Sequence, residues 1–101
     1  MLRHFVLFSF KPGSTPAEVQ HVADTFAALH GQVPQIAAFE WGINNSPEML
    51  NRGLTHCFLL SYHSEQDLAE YQLHPAHLAF QEVLRPHMEE VLVVDYWARE
   101  R

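Results

Sequence analysis

Four segments of the chain place apolar residues with a period of two or carry them on both faces, which is typical of β-strands. They cover residues 2–11, 36–43, 54–63 and 89–98. In the first segment His4, Val6 and Phe8 share one face, and Phe5 and Leu7 share the other. Because both faces are partly apolar, we expect the sheet to be covered on both sides.

Two other regions repeat apolar residues at helical spacing. The first begins at Thr15 and Pro16, which suit a helix N-terminus, and is expected to end at Gly31. The second begins with the capping residue Ser64 and continues towards Pro86. Pro75 interrupts it, because proline cannot continue a helix without losing a backbone hydrogen bond. We therefore predict two short helices there.

The resulting β-α-β-β-α-β order predicts a ferredoxin-like α+β fold, with a four-stranded antiparallel sheet and helices on one face. At 101 residues the chain is expected to form one domain, residues 1–101. The sheet face without helices is expected to carry Phe5, Leu7, Leu59, Leu92 and Val94. A second copy of the same sheet is the simplest cover, so we predict a homodimer.

Composition narrows the possible partners. The formal net charge is −6 and no basic patch is visible, so nucleic acid is not an expected partner. The apolar run near the N-terminus is too short to span a membrane. The lone cysteine, Cys57, cannot form an internal disulfide, which fits a reducing compartment. We therefore expect a cytoplasmic protein.

The segment "YQLHPAHLAF" concentrates candidate chemistry in residues 71–80. If Pro75 begins a helix, His77 lies in its first turn, where the helix dipole favours a neutral imidazole that can act as a general base. The phenol of Tyr71 can donate a hydrogen bond to an oxyanion. His74 precedes Pro75 and is expected to cap the following helix. The structural alternative is that Tyr71 and His77 only pack and cap.

His4, His56 and Asp95 fall on one strand face, where three polar groups among apolar residues indicate a pocket floor. The expected apolar wall consists of Val6, Phe8, Phe58, Leu60, Phe80 and Val93. Ordinary buried core histidines are the alternative. A second alternative is a zinc site formed by His4, His56, His74 and His77. The two histidine rings of the HPAH motif are expected to point in different directions, however, so we predict that the protein binds no metal.

Several motifs in order, among them "HFVLFSFKPG", "FEWG", "HPAHLAF" and "VLVVDY", resemble the Dabb family of stress-responsive dimeric α/β-barrel domains. The resemblance covers nearly the whole chain and implies a dimer in which two sheets form a barrel. One member of the family is a cofactor-independent polyketide cyclase that performs an intramolecular aldol condensation. The resemblance to this enzyme implies catalytic roles for Tyr71 and His77. His4, His56 and Asp95 match further pocket residues of that cyclase. Gln72 and Gln81 depart from its pocket wall.

Three classes of function follow. The first is a cofactor-free enzyme acting on a carbonyl substrate in an apolar pocket lined by tyrosine and histidine. The second is a stress-responsive dimer that binds a small apolar or aromatic ligand, or only folds, without turnover. The third is an enzyme similar to the antibiotic monooxygenases. A magnesium ion held by loop carbonyls near "QVPQI" is left open, because sequence does not reveal carbonyl ligands.

Overall fold

A computed structural model describes residues 1–99. Its elements are β1 (Leu2–Phe10), α1 (Pro16–Gln32), β2 (Ala38–Ile43), β3 (His56–Tyr62), α2 (Glu65–Leu73), α3 (Pro75–Leu84) and β4 (Met88–Trp97). The βαββαβ order, with its second helical region divided, is the order predicted from the sequence. The ferredoxin-like fold is therefore confirmed.

The four strands form one antiparallel sheet in the order β2-β3-β1-β4. The two central strands, β1 and β3, are hydrogen-bonded on both sides, and β2 and β4 form the edges. His4 of β1 lies opposite Leu60 of β3 and Asp95 of β4. Because directly paired residues project from the same face, these three side chains share the helix-covered face.

Helix α1 begins as predicted but continues past Gly31 to Gln32. The Thr15 hydroxyl accepts the Glu18 backbone N–H at 3.1 Å, and the Glu18 carboxylate accepts the Thr15 N–H at 2.9 Å. This reciprocal pair is a capping box. Gly31 does not end the helix. Val33, two residues further on, is fully buried and donates its backbone N–H to the carbonyl of Leu29. This hydrogen bond extends the helix to Gln32.

The junction between α2 and α3 matches its prediction. His74 has an extended backbone, and its Nδ1 accepts the Ala76 N–H at 3.0 Å. Pro75 occupies the first position of α3, where its missing N–H leaves no hydrogen bond unmade. The capping role expected of His74 is confirmed. The junction fixes the direction in which α3 leaves α2.

The core lies between the helices and one face of the sheet, and aromatic rings fill its centre. Phe26 of α1 stacks on Phe58 with ring centroids 4.4 Å apart and lies 4.5 Å from Phe80. Helix α1 packs against α3 and β2. As a result β3 is fully covered, whereas Val91 and Val93 on β4 remain 44% and 48% exposed on the same face.

The opposite side of the sheet, here called the helix-free face, carries Phe5, Leu7, Cys57, Leu59, Leu92 and Val94. Leu92 and Val94 are 48% and 46% exposed, and the other four are half-buried. Cys57 is only partly buried, because no helix packs on this face. Among residues 1–99 no helix has the length and apolarity needed to cross a membrane.

Candidate active site

A cavity of about 340 Å³ opens between the sheet and the pair α2–α3, where β4 is left uncovered. Strand β1 supplies its floor, α3 one wall and β4 the other. Its lining comprises His4, Val6, Phe8, Phe26, Tyr71, Gln72, His77, Phe80, Gln81, Leu84, Arg85, Met88, Val91 and Val93. Most of these side chains are apolar, and the polar ones come from four short segments of the chain.

The cavity has two ends. At one end Tyr71 and His77 meet His4, whose ring centroid lies 5.9 Å from that of Tyr71. At the other end α3 finishes at Leu84, and β4 begins at Met88, which lies opposite Phe10 of β1. The floor therefore runs from the polar end near His4 to an aromatic end near Phe8.

His77 is half-buried, and one of its ring nitrogens is already used. Nδ1 lies 3.1 Å from the backbone carbonyl of Gln72, which can only accept, so Nδ1 carries the hydrogen. Nε2 is then the unprotonated nitrogen and can take a proton from a ligand. Burial lowers the pKa of His77; the Gln72 carbonyl opposes this shift and the neighbouring His4 adds to it. The imidazole is therefore mostly neutral at pH 7, as a general base requires.

Tyr71 lies directly against His77. Its side chain is 1% exposed, and the two ring centroids are 4.4 Å apart with the planes tilted by 45°. Burial raises the pKa of Tyr71 well above its ordinary value. The phenol therefore keeps its proton throughout the physiological range and acts as a hydrogen-bond donor rather than a base.

His4 stands beside this pair with a partner of its own. Its Nδ1 lies 2.5 Å from the Asp95 carboxylate, so the carboxylate accepts and Nδ1 carries the hydrogen. The contact fixes the orientation of the ring and occupies Nδ1, so Nε2 is the nitrogen left for a ligand. Asp95 does not itself line the cavity and acts on it only through His4. Tyr62, packed 5.5 Å from Tyr71, is fully buried with a hydroxyl that has no partner among the described residues.

The structure corrects the expected position of three residues. His56 lies opposite Phe8, four residues along β1 from His4, which corresponds to about 13 Å at strand spacing. It stacks on Trp41 and contacts Phe10 instead of the cavity. Phe58 and Leu60 are completely buried under the helices and do not line the cavity. Alternation along a strand predicted the correct face, but not which part of that face the helices leave open.

Of the other predicted site residues, seven come together in the cavity: His4, Val6, Phe8, Tyr71, His77, Phe80 and Val93. Of the other polar lining residues, Gln72 and Gln81 were named only as differences in the pocket wall, and Arg85 was not singled out. A signal for two of them was available, because His77, Gln81 and Arg85 are spaced four apart, which places them on one face of a helix.

No group of three or more histidine, cysteine, aspartate or glutamate side chains within residues 1–99 is arranged to hold a metal ion. The ring of His74 is engaged in capping α3, and His56 lies away from the cavity. The four histidines considered as zinc ligands thus do not converge. The polar end of the cavity offers a neutral imidazole, a protonated phenol and a second, oriented imidazole.

Comparison with known proteins agrees with the fold. Residues 2–98 match the sequence model of a family described as the Stress responsive A/B Barrel Domain, or Dabb. The stress-response A/B barrel domain-containing protein HS1 of Arabidopsis thaliana is 36% identical over 95 residues, covering 94% of this chain and 87% of that protein. Olivetolic acid cyclase of Cannabis sativa is 28% identical over 98 residues, covering 97% of each.

Solved structures give the same result. The crystal structure of an Arabidopsis thaliana protein superposes with a TM-score of 0.93 at 34% identity, covering 100% of this chain and 98% of that one. A Bacteroides fragilis protein of unknown function, described as dimeric with a ferredoxin-like fold, gives a TM-score of 0.75 at 25% identity. It covers 94% of this chain and 93% of its own.

Proposed function

Because this chain belongs to the stress responsive A/B barrel domain family, we propose that it is a cofactor-independent enzyme acting on a carbonyl substrate. The reaction begins with removal of a proton from the carbon next to the carbonyl, and an aldol-type cyclisation of a polyketide-like chain is the favoured overall reaction. The similarity to olivetolic acid cyclase extends over 97% of both chains and supports this class of chemistry.

One observation carries the proposal: a neutral imidazole with a free Nε2 and a buried phenol lie against each other in one cavity. Removing a proton from a carbon acid needs a base with a pKa near the working pH. It also needs a donor for the oxyanion that develops on the carbonyl oxygen. His77 supplies the first and Tyr71 the second. The apolar lining from Phe8, Phe26 and Phe80 keeps water away and strengthens both interactions.

The proposed steps balance within the substrate. His77 Nε2 takes the α-proton, and Tyr71 donates a hydrogen bond to the enolate oxygen. The enolate carbon then attacks a second carbonyl of the same chain and forms the new carbon–carbon bond. The resulting alkoxide takes a proton back from the His77 imidazolium, so the base is restored. His4, oriented by Asp95, is placed to hold a further carbonyl or hydroxyl group.

We also propose that the working form is a homodimer, built by pairing two helix-free faces. The five large apolar residues of this face and the half-exposed Leu92 and Val94 among them support the pairing, because monomers rarely expose a continuous apolar patch. The Bacteroides fragilis relative of the same fold is described as dimeric. A cytoplasmic location stays a prediction from the sequence.

The test uses a linear 3,5,7-trioxoalkanoate as the probe. The cyclic aldol product becomes aromatic when it loses water and its remaining ketones enolise, and this aromatic product is followed by absorbance. Tyr71→Phe and His77→Gln are each expected to remove most of the turnover, roughly 10²-fold or more, as is typical for a lost general base or oxyanion donor. Tyr96→Phe and His63→Gln, which change the same residue types outside the cavity, are the controls.

Circular dichroism and thermal melting establish that every variant is folded. If the wild-type protein binds the probe without forming product, the chain is a ligand-binding dimer and the enzymatic proposal fails. Equal turnover by His77→Gln and the wild-type protein would also contradict it.

A further inference from the structure

The charge of the cavity is opposite to that of the protein. The chain has 12 acidic residues and a net charge of −6, yet none of the cavity-lining residues is an aspartate or glutamate. Of the lysines and arginines within residues 1–99, Arg85 alone lines the cavity. A cationic residue in the lining of a cavity that has no acidic lining residue attracts anions and disfavours cations.

Arg85 lies at the end of the cavity away from His77. The two residues are eight apart on α3, which separates their Cα atoms by about 12 Å. The floor gives a similar length, because His4 and Phe8 are four residues apart on β1, or about 13 Å. Helix and strand therefore define one elongated site with His77 at one end and Arg85 at the other.

Gln81 lies between these ends, one helical turn from each of His77 and Arg85. Its amide offers both a donor and an acceptor to a group in the middle of a bound chain. The remaining wall at this level is Phe80 and Val93, which are apolar. The order along the cavity is thus imidazole, amide and guanidinium on one side, with apolar contacts on the other.

The present partner of Arg85 does not block this role. Its guanidinium lies 2.6 Å from the Glu82 carboxylate, and the two side chains are 63% and 71% exposed. Ion pairs this exposed contribute little to stability, so Glu82 is readily exchanged for another carboxylate. A guanidinium also has five N–H donors in a planar fork, which can bind both oxygens of a carboxylate at once.

We propose that the substrate of this site carries a free carboxylate, which Arg85 binds at the opposite end of the cavity from the carbonyl on which His77 and Tyr71 act. The proposal rests on the proposed function for the identity of the reacting end. It names a keto acid, not its ester or thioester, as the substrate class. The keto and carboxylate groups are joined by a chain long enough to reach both ends, and a further carbonyl within that chain would lie near Gln81.

The test compares 8-oxononanoate with its neutral primary amide, which has the same chain and lacks the charge. Dissociation constants are measured by chemical-shift titration of the folded wild-type protein. The acid is expected to bind about two- to fivefold more tightly than the amide, the upper part of the range for an exposed ion pair. Arg85→Gln is expected to remove this preference while leaving the affinity for the amide unchanged.

Two variants serve as controls. Arg52→Gln removes an exposed guanidinium outside this cavity and is expected to keep the preference for the acid. Glu82→Gln removes the carboxylate that pairs with Arg85, and this variant is expected to keep or increase the preference for the acid. Equal binding of acid and amide by the wild-type protein overturns the proposal, as does a preference that survives in Arg85→Gln.

The outcome is separable from that of the proposed function. Exchange of the protons next to the keto group in D₂O is followed on the same samples. An Arg85-dependent preference for the acid without exchange supports the carboxylate site and contradicts the enzymatic role. Exchange without any preference for the acid supports the enzymatic role and overturns the carboxylate site.

Discussion

Phe5→Asp tests whether the helix-free face is an interface between two copies of the chain. Phe5 lies on the central strand β1, directly opposite Leu59 of β3 and Val94 of β4. Its position is therefore central to the helix-free face. In a monomer an aspartate there can reach water, because Val94 beside it is still 46% exposed. In the proposed dimer the same carboxylate would be buried without a partner.

Symmetry doubles the effect of this substitution. A two-fold interface contains position 5 twice, so two unpaired carboxylates are introduced into each dimer. Each buried, uncompensated charge costs at least about 3 kcal/mol. The total of about 6 kcal/mol corresponds to association weakened by roughly 10⁴-fold. The lost burial of two phenylalanine rings adds to this value.

Multi-angle light scattering at low micromolar concentration measures the outcome. The wild-type protein is expected at twice the chain mass of 11.7 kDa, and Phe5→Asp at the mass of one chain. Leu73→Asp, which places the same charge at a side chain that is 77% exposed on α2, is expected to remain dimeric. A monomeric wild-type protein, or a Phe5→Asp variant that stays dimeric and folded, would refute the reasoning.

Further predictions concern stability and pH. Phe26→Ala removes a ring that is 2% exposed and stacked on Phe58, and is expected to lower the free energy of unfolding by about 3–5 kcal/mol in urea titrations. Tyr62→Phe deletes a buried hydroxyl that has no hydrogen-bond partner within residues 1–99, and is expected to leave that free energy unchanged or higher; a loss above about 1 kcal/mol would contradict this. Burial lowers the folded-state pKa of His77 and of His56 below 6.5, so the unfolded chain binds more protons just below that pH. Stability is therefore expected to fall as the pH drops below 6.5, and turnover to decline only below that value. Chelator treatment is expected to leave the melting temperature unchanged.

The strands and helices followed from the sequence because their signals are local. Alternation marked each strand, Thr15 with Glu18 marked the start of α1, and Pro75 marked the division between α2 and α3. The prediction that α1 ends at Gly31 was wrong. A glycine lowers helix stability by only about 1 kcal/mol, and burial of Val33 just beyond it favours continuing the helix.

The extent of the cavity did not follow from the sequence in the same way. His4 and His56 have equal parity and share a face, but strand register sets them far apart. Helix α1 packs on β2, and its Phe26 stacks on Phe58 of β3, so this part of the sheet is covered. Which lining residues stay open depends on how the helices sit on the sheet, which is a tertiary property. The row formed by His77, Gln81 and Arg85 could have been read from helical spacing alone once α3 was assigned.

The most direct test of the central claim is exchange of α-protons of a neutral ketone in D₂O. With 4-phenylbutan-2-one as the probe, proton NMR follows loss of the signals next to the carbonyl at pH 7. The wild-type protein is expected to exchange them well above the buffer rate, and folded His77→Gln is expected to return to that rate. Exchange at the buffer rate by the wild-type protein, or undiminished exchange by His77→Gln, would contradict the assignment of His77 as the base of this cavity.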